Sequence, residues 1–248
     1  MRSPPKDETA WGIHLSFLCP EVIEFCGLLG FKWLLLDAEH GSLNHHLSRE
    51  LVRAADVAGM FCIVRVPEIS ASVIEGFLDA GAVGILAPNV STVSQAQALV
   101  AAVKFSPEGV RGSAPRSRAA NYGLTQSPSD YCRRANEATL AAALIETQQG
   151  IDELESIMAV PGLDYIAIGP NDLGLSLGID GGMADPTVHA IVEGAQARIA
   201  AYGKPQISVV VDSDQARKAA AGGTTLIAIP DTVLFADAGR AFLTQVGS

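Results

Sequence analysis

Residues 32–42 read KWLLLDAEHGS, and the order of those letters decides the fold. The strand is expected over 32–36, and from Trp33 to Leu36 it has no polar member to face solvent, which is the pattern of a parallel strand buried on both faces. The run stops at Asp37, with Glu39 and His40 close behind. Similar short apolar runs recur at 12–16, 62–66, 83–87, 140–145, 165–168, 206–211 and 225–229. Between them lie helical stretches such as PEVIEFCGLLG (20–30), LSRELVRAADVAG (47–59), ASVIEGFLDAG (71–81) and SDQARKAAAGG (213–223). Each closes on glycine, the residue best suited to a left-handed helix C-cap. Eight such units in 248 residues predict an α/β chain folded as one (β/α)8 TIM barrel over 1–248. A doubly wound open sheet is the runner-up. The longest irregular stretch runs from about 105 to 129, and connections of that length in a compact domain are usually functional or mobile.

Composition narrows the function. Hydrophobic residues make up 48% of the chain and charged residues 18%, which suits a large packed core. A net charge of -10 argues against nucleic acid and against an acidic membrane surface, since both attract a positive patch. The opening MRSPPKDETAWG has no apolar run after its basic residue, so no secretory signal is expected. No apolar stretch reaches the ~20 residues of a membrane span. Cys19, Cys26, Cys62 and Cys132 form no CxxC pair, which argues against structural zinc and a disulfide framework. The expected address is the cytoplasm.

The polar residues that interrupt the apolar runs gather at one end. Asp37, Glu39 and His40 follow the second run, Arg65 falls near the end of the third, Glu146 closes the fifth, and Asn171 and Asp172 follow the sixth. In a barrel all of these reach the C-terminal rim, where barrel enzymes place their sites. Singly, each has a mundane reading: Asp172 a helix N-cap, Glu146 a satisfied strand end, Arg65 the partner of either. Their convergence is what points to chemistry.

Glu146 and Asp172 are the best metal ligands on offer, and two hard oxygen donors without cysteine or paired histidine suit Mg²⁺ or Mn²⁺. A 2-keto acid could fill open positions on such an ion, which would act as a Lewis acid and lower the cost of an enolate. The backbone N–H groups of Asn171 and Asp172, at a helix start, could hold the carboxylate. Arg65 presents a permanently charged planar fork to the keto oxygen. His40 is the natural proton shuttle, with Asp37 three residues earlier to fix its tautomer. His45 and His46 fit a structural role better, because they lie inside a helical pattern.

Lysine placement bears on the mechanism. A Schiff-base aldolase needs a desolvated lysine at the rim. Lys6, Lys32, Lys104, Lys204 and Lys218 all fall elsewhere, so carbanion stabilisation is expected from a metal. No GxGxxG, Walker-type loop or GxSxG elbow occurs.

In this order, KWLLLDAEHGS, CIVRVPE (62–68), FLDAGAVGILAPNV (77–90), PEGVRGS (107–113), LIETQQG (144–150) and YIAIGPNDLGLSLG (165–178) resemble the HpcH/HpaI family of class II pyruvate aldolases. The likeness runs from about Trp11 to Phe242. It implies a (β/α)8 barrel, usually a homohexamer, that uses Mg²⁺, Mn²⁺ or Co²⁺. By position it implies Glu146 and Asp172 as metal ligands, Arg65 at the keto oxygen and His40 with Asp37 as an acid–base dyad. It also implies that Asp79 approaches a neighbouring subunit's site, whereas the bare sequence marks Asp79 only as an exposed residue near a helix C-terminus. Gly169, Pro170, Asn171 and Asp172, with Arg65, His14 and Leu144, are the expected substrate-binding positions. Two departures bear on the pocket. Leu144 stands where relatives often carry glutamine, and His14 where some carry tryptophan. Arg116 and Arg118, in GSAPRSRAANYG (112–123), offer contacts for a distal carboxylate or polyol, though solvated loop charge is the preferred reading.

The expected reaction is reversible cleavage of a 4-hydroxy-2-keto acid into pyruvate, or an analogue such as hydroxypyruvate, and an aldehyde. A related lyase acting on an acyl-CoA ester would need a basic groove for phosphates, and an acidic chain offers little. A non-catalytic barrel that binds keto acids is the rival from another class, and the Asp37, His40 and Arg65 set speaks against it. The apolar stretch VLFADAGRAFL (233–243) is expected to pack against a second copy of the chain.

Overall fold

The computed structural model describes residues 8–247, which leaves Lys6 outside the described residues. Eight parallel strands follow one another in chain order: β1 Ala10–Leu15, β2 Trp33–Asp37, β3 Phe61–Arg65, β4 Gly84–Ala87, β5 Leu140–Ile145, β6 Tyr165–Ile168, β7 Gln206–Val209 and β8 Leu226–Pro230. β8 pairs back onto β1, closing the barrel, so the chain is a (β/α)8 barrel and not the open sheet. All eight expected runs became strands, with ends shifted by no more than two residues.

Strand alternation sorts the side chains into two layers. Leu34, Leu36, Cys62, Val64 and Ile145 face the helices and join the larger apolar core. Trp33, Leu35, Phe61, Ile63, Ala142, Leu144 and Ala167 fill the barrel interior. Trp33 is its largest plug, stacked on Phe61 at 6.3 Å and donating from Nε1 to the Ala10 carbonyl at 3.0 Å. Gly12 must lack a side chain there, because an added Cβ would meet the Trp33 ring at 2.4 Å. Each fully buried leucine or isoleucine of these layers contributes about 1.5–3 kcal/mol.

Three of the four helices expected to end on glycine do so in the left-handed conformation, at Gly30, Gly59 and Gly81. The fourth ends differently. Gly222 keeps a negative φ, and the next residue, Gly223, turns left-handed at +85°. The long irregular stretch narrows to about 104–127, followed by an additional helix, Pro128–Ala138. Among the described residues no helix is long and apolar enough to cross a membrane.

Candidate active site

The interior parity of Leu35 and Ile63 carries forward two residues to Asp37 and Arg65, which end β2 and β3 and stand opposite each other in register. Arg65 donates from Nε to Asp37 Oδ1 at 3.0 Å and from Nη2 to Oδ2 at 2.5 Å, a bidentate pair at the barrel mouth. His14, on the interior parity of β1, sets Nε2 3.8 Å from Asp37 Oδ2. Burial opposes ionisation of Asp37, but contacts from His14 and Arg65 outweigh it and hold the carboxyl well below the usual carboxylate range. Burial likewise opposes the Arg65 charge, and Asp37 with Glu39 more than restores it.

Asp37 does not orient the His40 ring, contrary to the expected dyad. Its carboxylate is taken by Arg65, and Oδ1 also accepts the backbone N–H of Glu39 at 3.0 Å and of His40 at 3.3 Å. Those turn bonds place the His40 side chain beyond the carboxylate, where its Nε2 lies 3.6 Å from Glu39 Oε2. Glu39 also lies 3.4 Å from Arg65 Nε. Burial pushes the Glu39 carboxyl up; Arg65 and His40 oppose this, and Asp37 and Asp172 add to it. The His40 side chain is 62% exposed in the single chain.

Glu146 continues the interior parity of Leu144 past the end of β5 and is buried. Its Oε1 accepts the backbone N–H of Asn89 at 2.7 Å, and Asn89 reaches it from the end of β4 by adopting a left-handed φ of 55°. Burial pushes the Glu146 carboxyl up to about 7; the Asn89 N–H opposes this, while the charges of Asp172 and Glu39 add to it. Gly169, at the end of β6, leaves the space above this carboxylate clear. A Cβ there would come within 2.6 Å of Glu146 Oε2 and 3.4 Å of Leu144 Cδ1. Pro170 opens the helix Pro170–Ser176, whose first turn presents Asn171 and Asp172, both exposed. Leu144 lines the barrel interior beneath them.

Not every candidate joins this cluster. Asp79 ends the helix Ala71–Ala80, which runs back from the rim toward the start of β4, so it lies at the opposite end of its own barrel. Arg118 is at that far end too, donating to Asp56 Oδ2 and, at 3.2 Å, to the Ala80 carbonyl. Arg116 is exposed loop charge. Lys104 is buried against the carbonyls of Asn136 and Thr139, and no lysine among the described residues ends a strand. Two rim residues escaped the sequence reading. Asn89 is one. The other is Asp231, just past β8, whose Oδ2 accepts the backbone N–H of Ser16 at 3.0 Å and of Phe17 at 2.8 Å, fixing the loop that follows His14. A polar residue close behind a strand end was the signal on offer, directly after β8 for Asp231 and two residues after β4 for Asn89.

The family model for HpcH/HpaI aldolase/citrate lyase matches residues 12–237. The chain is 33% identical over 220 residues to a hydroxypyruvate/pyruvate aldolase of Agrobacterium fabrum, covering 88% of this chain and 82% of that one. It is 36% identical over 194 residues to a 2-dehydro-3,6-dideoxy-6-sulfogluconate aldolase of Pseudomonas putida, covering 78% and 75%. The crystal structure of an HpcH/HpaI aldolase/citrate lyase family protein from Burkholderia cenocepacia superposes with a TM-score of 0.90 at 30% identity, covering 98% and 96%.

Proposed function

The chain belongs to the HpcH/HpaI aldolase/citrate lyase family, and on that premise we propose that it is a class II aldolase reversibly cleaving a 4-hydroxy-2-keto acid into pyruvate, or hydroxypyruvate, and an aldehyde. The observation that carries this reading is the Arg65 guanidinium, fixed by Asp37 at the barrel mouth on the same rim as Glu146 and Asp172.

Glu146 and Asp172 would hold a divalent cation, Mg²⁺, Mn²⁺ or Co²⁺. The fit rests on an electron-rich cradle. Glu146 is buried among other acidic charges that push it toward neutrality, and a glycine keeps the space above Oε2 open. Among the described residues no three His, Cys, Asp or Glu side chains group as a metal site, so two carboxylates would leave positions for water and substrate oxygens. When bound, such an ion supplies Lewis acidity toward the keto oxygen.

The side chains divide the remaining work. Asp37 and Glu39 engage Nε and Nη2 of Arg65, so the Nη1 edge is left to meet the keto oxygen and stabilise the charge that develops on it. His40 takes the C4 hydroxyl proton, the C3–C4 bond breaks, the aldehyde departs, and C3 of the pyruvate enolate is then protonated. Glu39, beside His40 and Arg65 at once, couples the proton shuttle to the charge stabiliser. Asn171 and Asp172 offer backbone N–H groups to the substrate carboxylate. The assay is direct: the protein should release pyruvate from a 4-hydroxy-2-keto acid in the presence of Mn²⁺. Tight keto-acid binding without turnover, across a panel of aldehyde acceptors, would favour the non-catalytic barrel instead.

The reading includes a homo-oligomer, with the hexamer as the family's pattern, in a cytoplasmic setting that suits four free cysteines. The C-terminal helix Asp231–Val246 buries only Asp231 and leaves Phe235 75% and Phe242 63% exposed. Outside β1 and β8 an apolar hollow of about 370 Å³ is lined by Trp11, Phe31, Val210, Ile227, Ile229 and Leu234. Exposed apolar surface so arranged suits a second copy of the chain. Light scattering should therefore report an oligomer, and Phe235→Asp with Phe242→Asp should dissociate it. A fully active monomer at micromolar concentration would rule the assembly out. In the assembly Asp79, which lies at the far end of its own barrel, would serve the rim of a neighbour.

A further inference from the structure

Opposite the rim, the loop after the helix Val93–Val103 wraps around Asp79. Gly112 sits against the Glu75 carboxylate, and the Ala119 N–H donates to the Asp79 carbonyl at 3.2 Å. Between these contacts Arg111 enters the protein, its side chain only 2% exposed. Its Nη2 donates to Asp79 Oδ1 at 2.9 Å and lies 3.3 Å from the Tyr131 hydroxyl. Its guanidinium carbon sits 4.5 Å from the centroid of the Phe105 ring, and Phe105 packs edge-on against Tyr131 at 5.6 Å.

This is an expensive way to hold a loop. Taking a guanidinium out of water is costly, and the cost is repaid only when its donors are satisfied. Here the buried Nε has no hydrogen-bond partner within the protein, so part of that cost is not repaid. What it does achieve is direction. With a ring over one face and a hydroxyl beside Nη2, the guanidinium cannot swing, and the Asp79 oxygen it grips is fixed with it. The Asp79 side chain keeps 25% of its surface exposed.

We infer that Arg111 is the positioning residue for Asp79, gripping Oδ1 so that the carboxylate is presented at a fixed angle to a neighbouring subunit's rim. This rests on the reading that Asp79 completes a second copy's site. Tyr131 and Phe105 hold Arg111 in turn. Arg111 also opposes the burial that pushes the Asp79 carboxyl up, to which the Glu75 charge adds.

Subunit mixing separates this role from a merely structural one. Arg111→Met alone should lower kcat about 10–100-fold, the usual worth of a group that orients a functional one, with KM for the keto acid little changed. Two differently tagged variants are then co-expressed and the mixed oligomers purified. His40→Ala with Asp79→Asn should recover about a quarter of the sites, since each intact site draws its rim from one subunit and its aspartate from another. Arg111→Met with His40→Ala should recover the same fraction, while Arg111→Met with Asp79→Asn should recover none, because both defects lie on the donated face. No recovery from His40→Ala with Asp79→Asn overturns the shared site, and the inference with it. Recovery in that pair but not in Arg111→Met with His40→Ala, or a wild-type kcat for Arg111→Met, overturns the role of Arg111 alone. If Arg111→Met does not assemble, Arg111→Gln decides by the same pattern.

Discussion

Glu146→Gln should reduce aldol cleavage by about a thousandfold or more, because Lewis-acid stabilisation at the keto oxygen is worth several kcal/mol. The barrel should remain folded. Glutamine keeps an oxygen for the Asn89 N–H, which Glu146 now accepts at 2.7 Å, and removes a carboxylate whose burial disfavours its charge. Asp172→Ala should be equally inactive and equally folded, since Asp172 is exposed in the first turn of its helix. Chelator should inactivate the wild type until a divalent ion is restored.

The pH dependence follows from the direction of the Glu146 shift. Its carboxyl rises from an ordinary 4.5 to about 7 in the metal-free fold. A raised folded value means that its contribution to stability is fully present below about 4.5 and is lost as pH climbs through about 7. Added Mn²⁺ should reverse that loss, so its effect on Tm should be larger at pH 8 than at pH 6, where protons compete for the ligand. Glu146→Gln should show little Mn²⁺ effect at either pH. Full activity in chelator, or a substrate trapped on lysine by borohydride, would remove the metal from the reading.

What the sequence made legible was whatever depends on strand order and parity. Asp37, Arg65 and Glu146 each stand two residues beyond an interior-facing apolar residue, so the barrel assignment alone brought them to one rim. The pairing within that rim was not legible. A spacing of three residues suggested that Asp37 would hold the His40 ring, yet Asp37 is closed off by a cross-strand partner 28 residues away in sequence and touches His40 only through its backbone. The resemblance puts His14 near the pocket, but its place beside this pair comes from the pairing of β1 with β2. Asn89 escaped because its role depends on a left-handed turn that few non-glycine residues adopt. Asp231 reads as an ordinary helix start, and only closure of β8 onto β1 brings it to the loop after His14. Arg111 lies in a motif that carries the family likeness, but its burial against Phe105 is a tertiary fact.

His40→Ala should slow both aldol cleavage and exchange of the pyruvate C3 protons by about 10²–10⁴-fold, the range for a positioned acid–base group. Keto-acid binding should persist, since His40 is mostly exposed and the proposed carboxylate contacts lie on another loop. Arg65→Ala should behave differently. It removes the charge at the keto oxygen in ground and transition states alike and also leaves Asp37 without its bidentate partner, so binding and turnover should fall together. Arg65→Lys should rescue little, because a point charge cannot span both oxygens of Asp37 and still reach the substrate. The measurement that separates the two is proton exchange of pyruvate in deuterated water, which reports enolisation with no aldehyde present. A wild-type exchange rate in His40→Ala would mean that His40 handles only the C4 hydroxyl proton, and Glu39 would become the base for enolisation. Glu39 stands 3.6 Å from the His40 ring and 3.4 Å from Arg65, with its carboxyl pushed up by burial, so it is placed to take that proton. Glu39→Gln would then lose the exchange that His40→Ala retains.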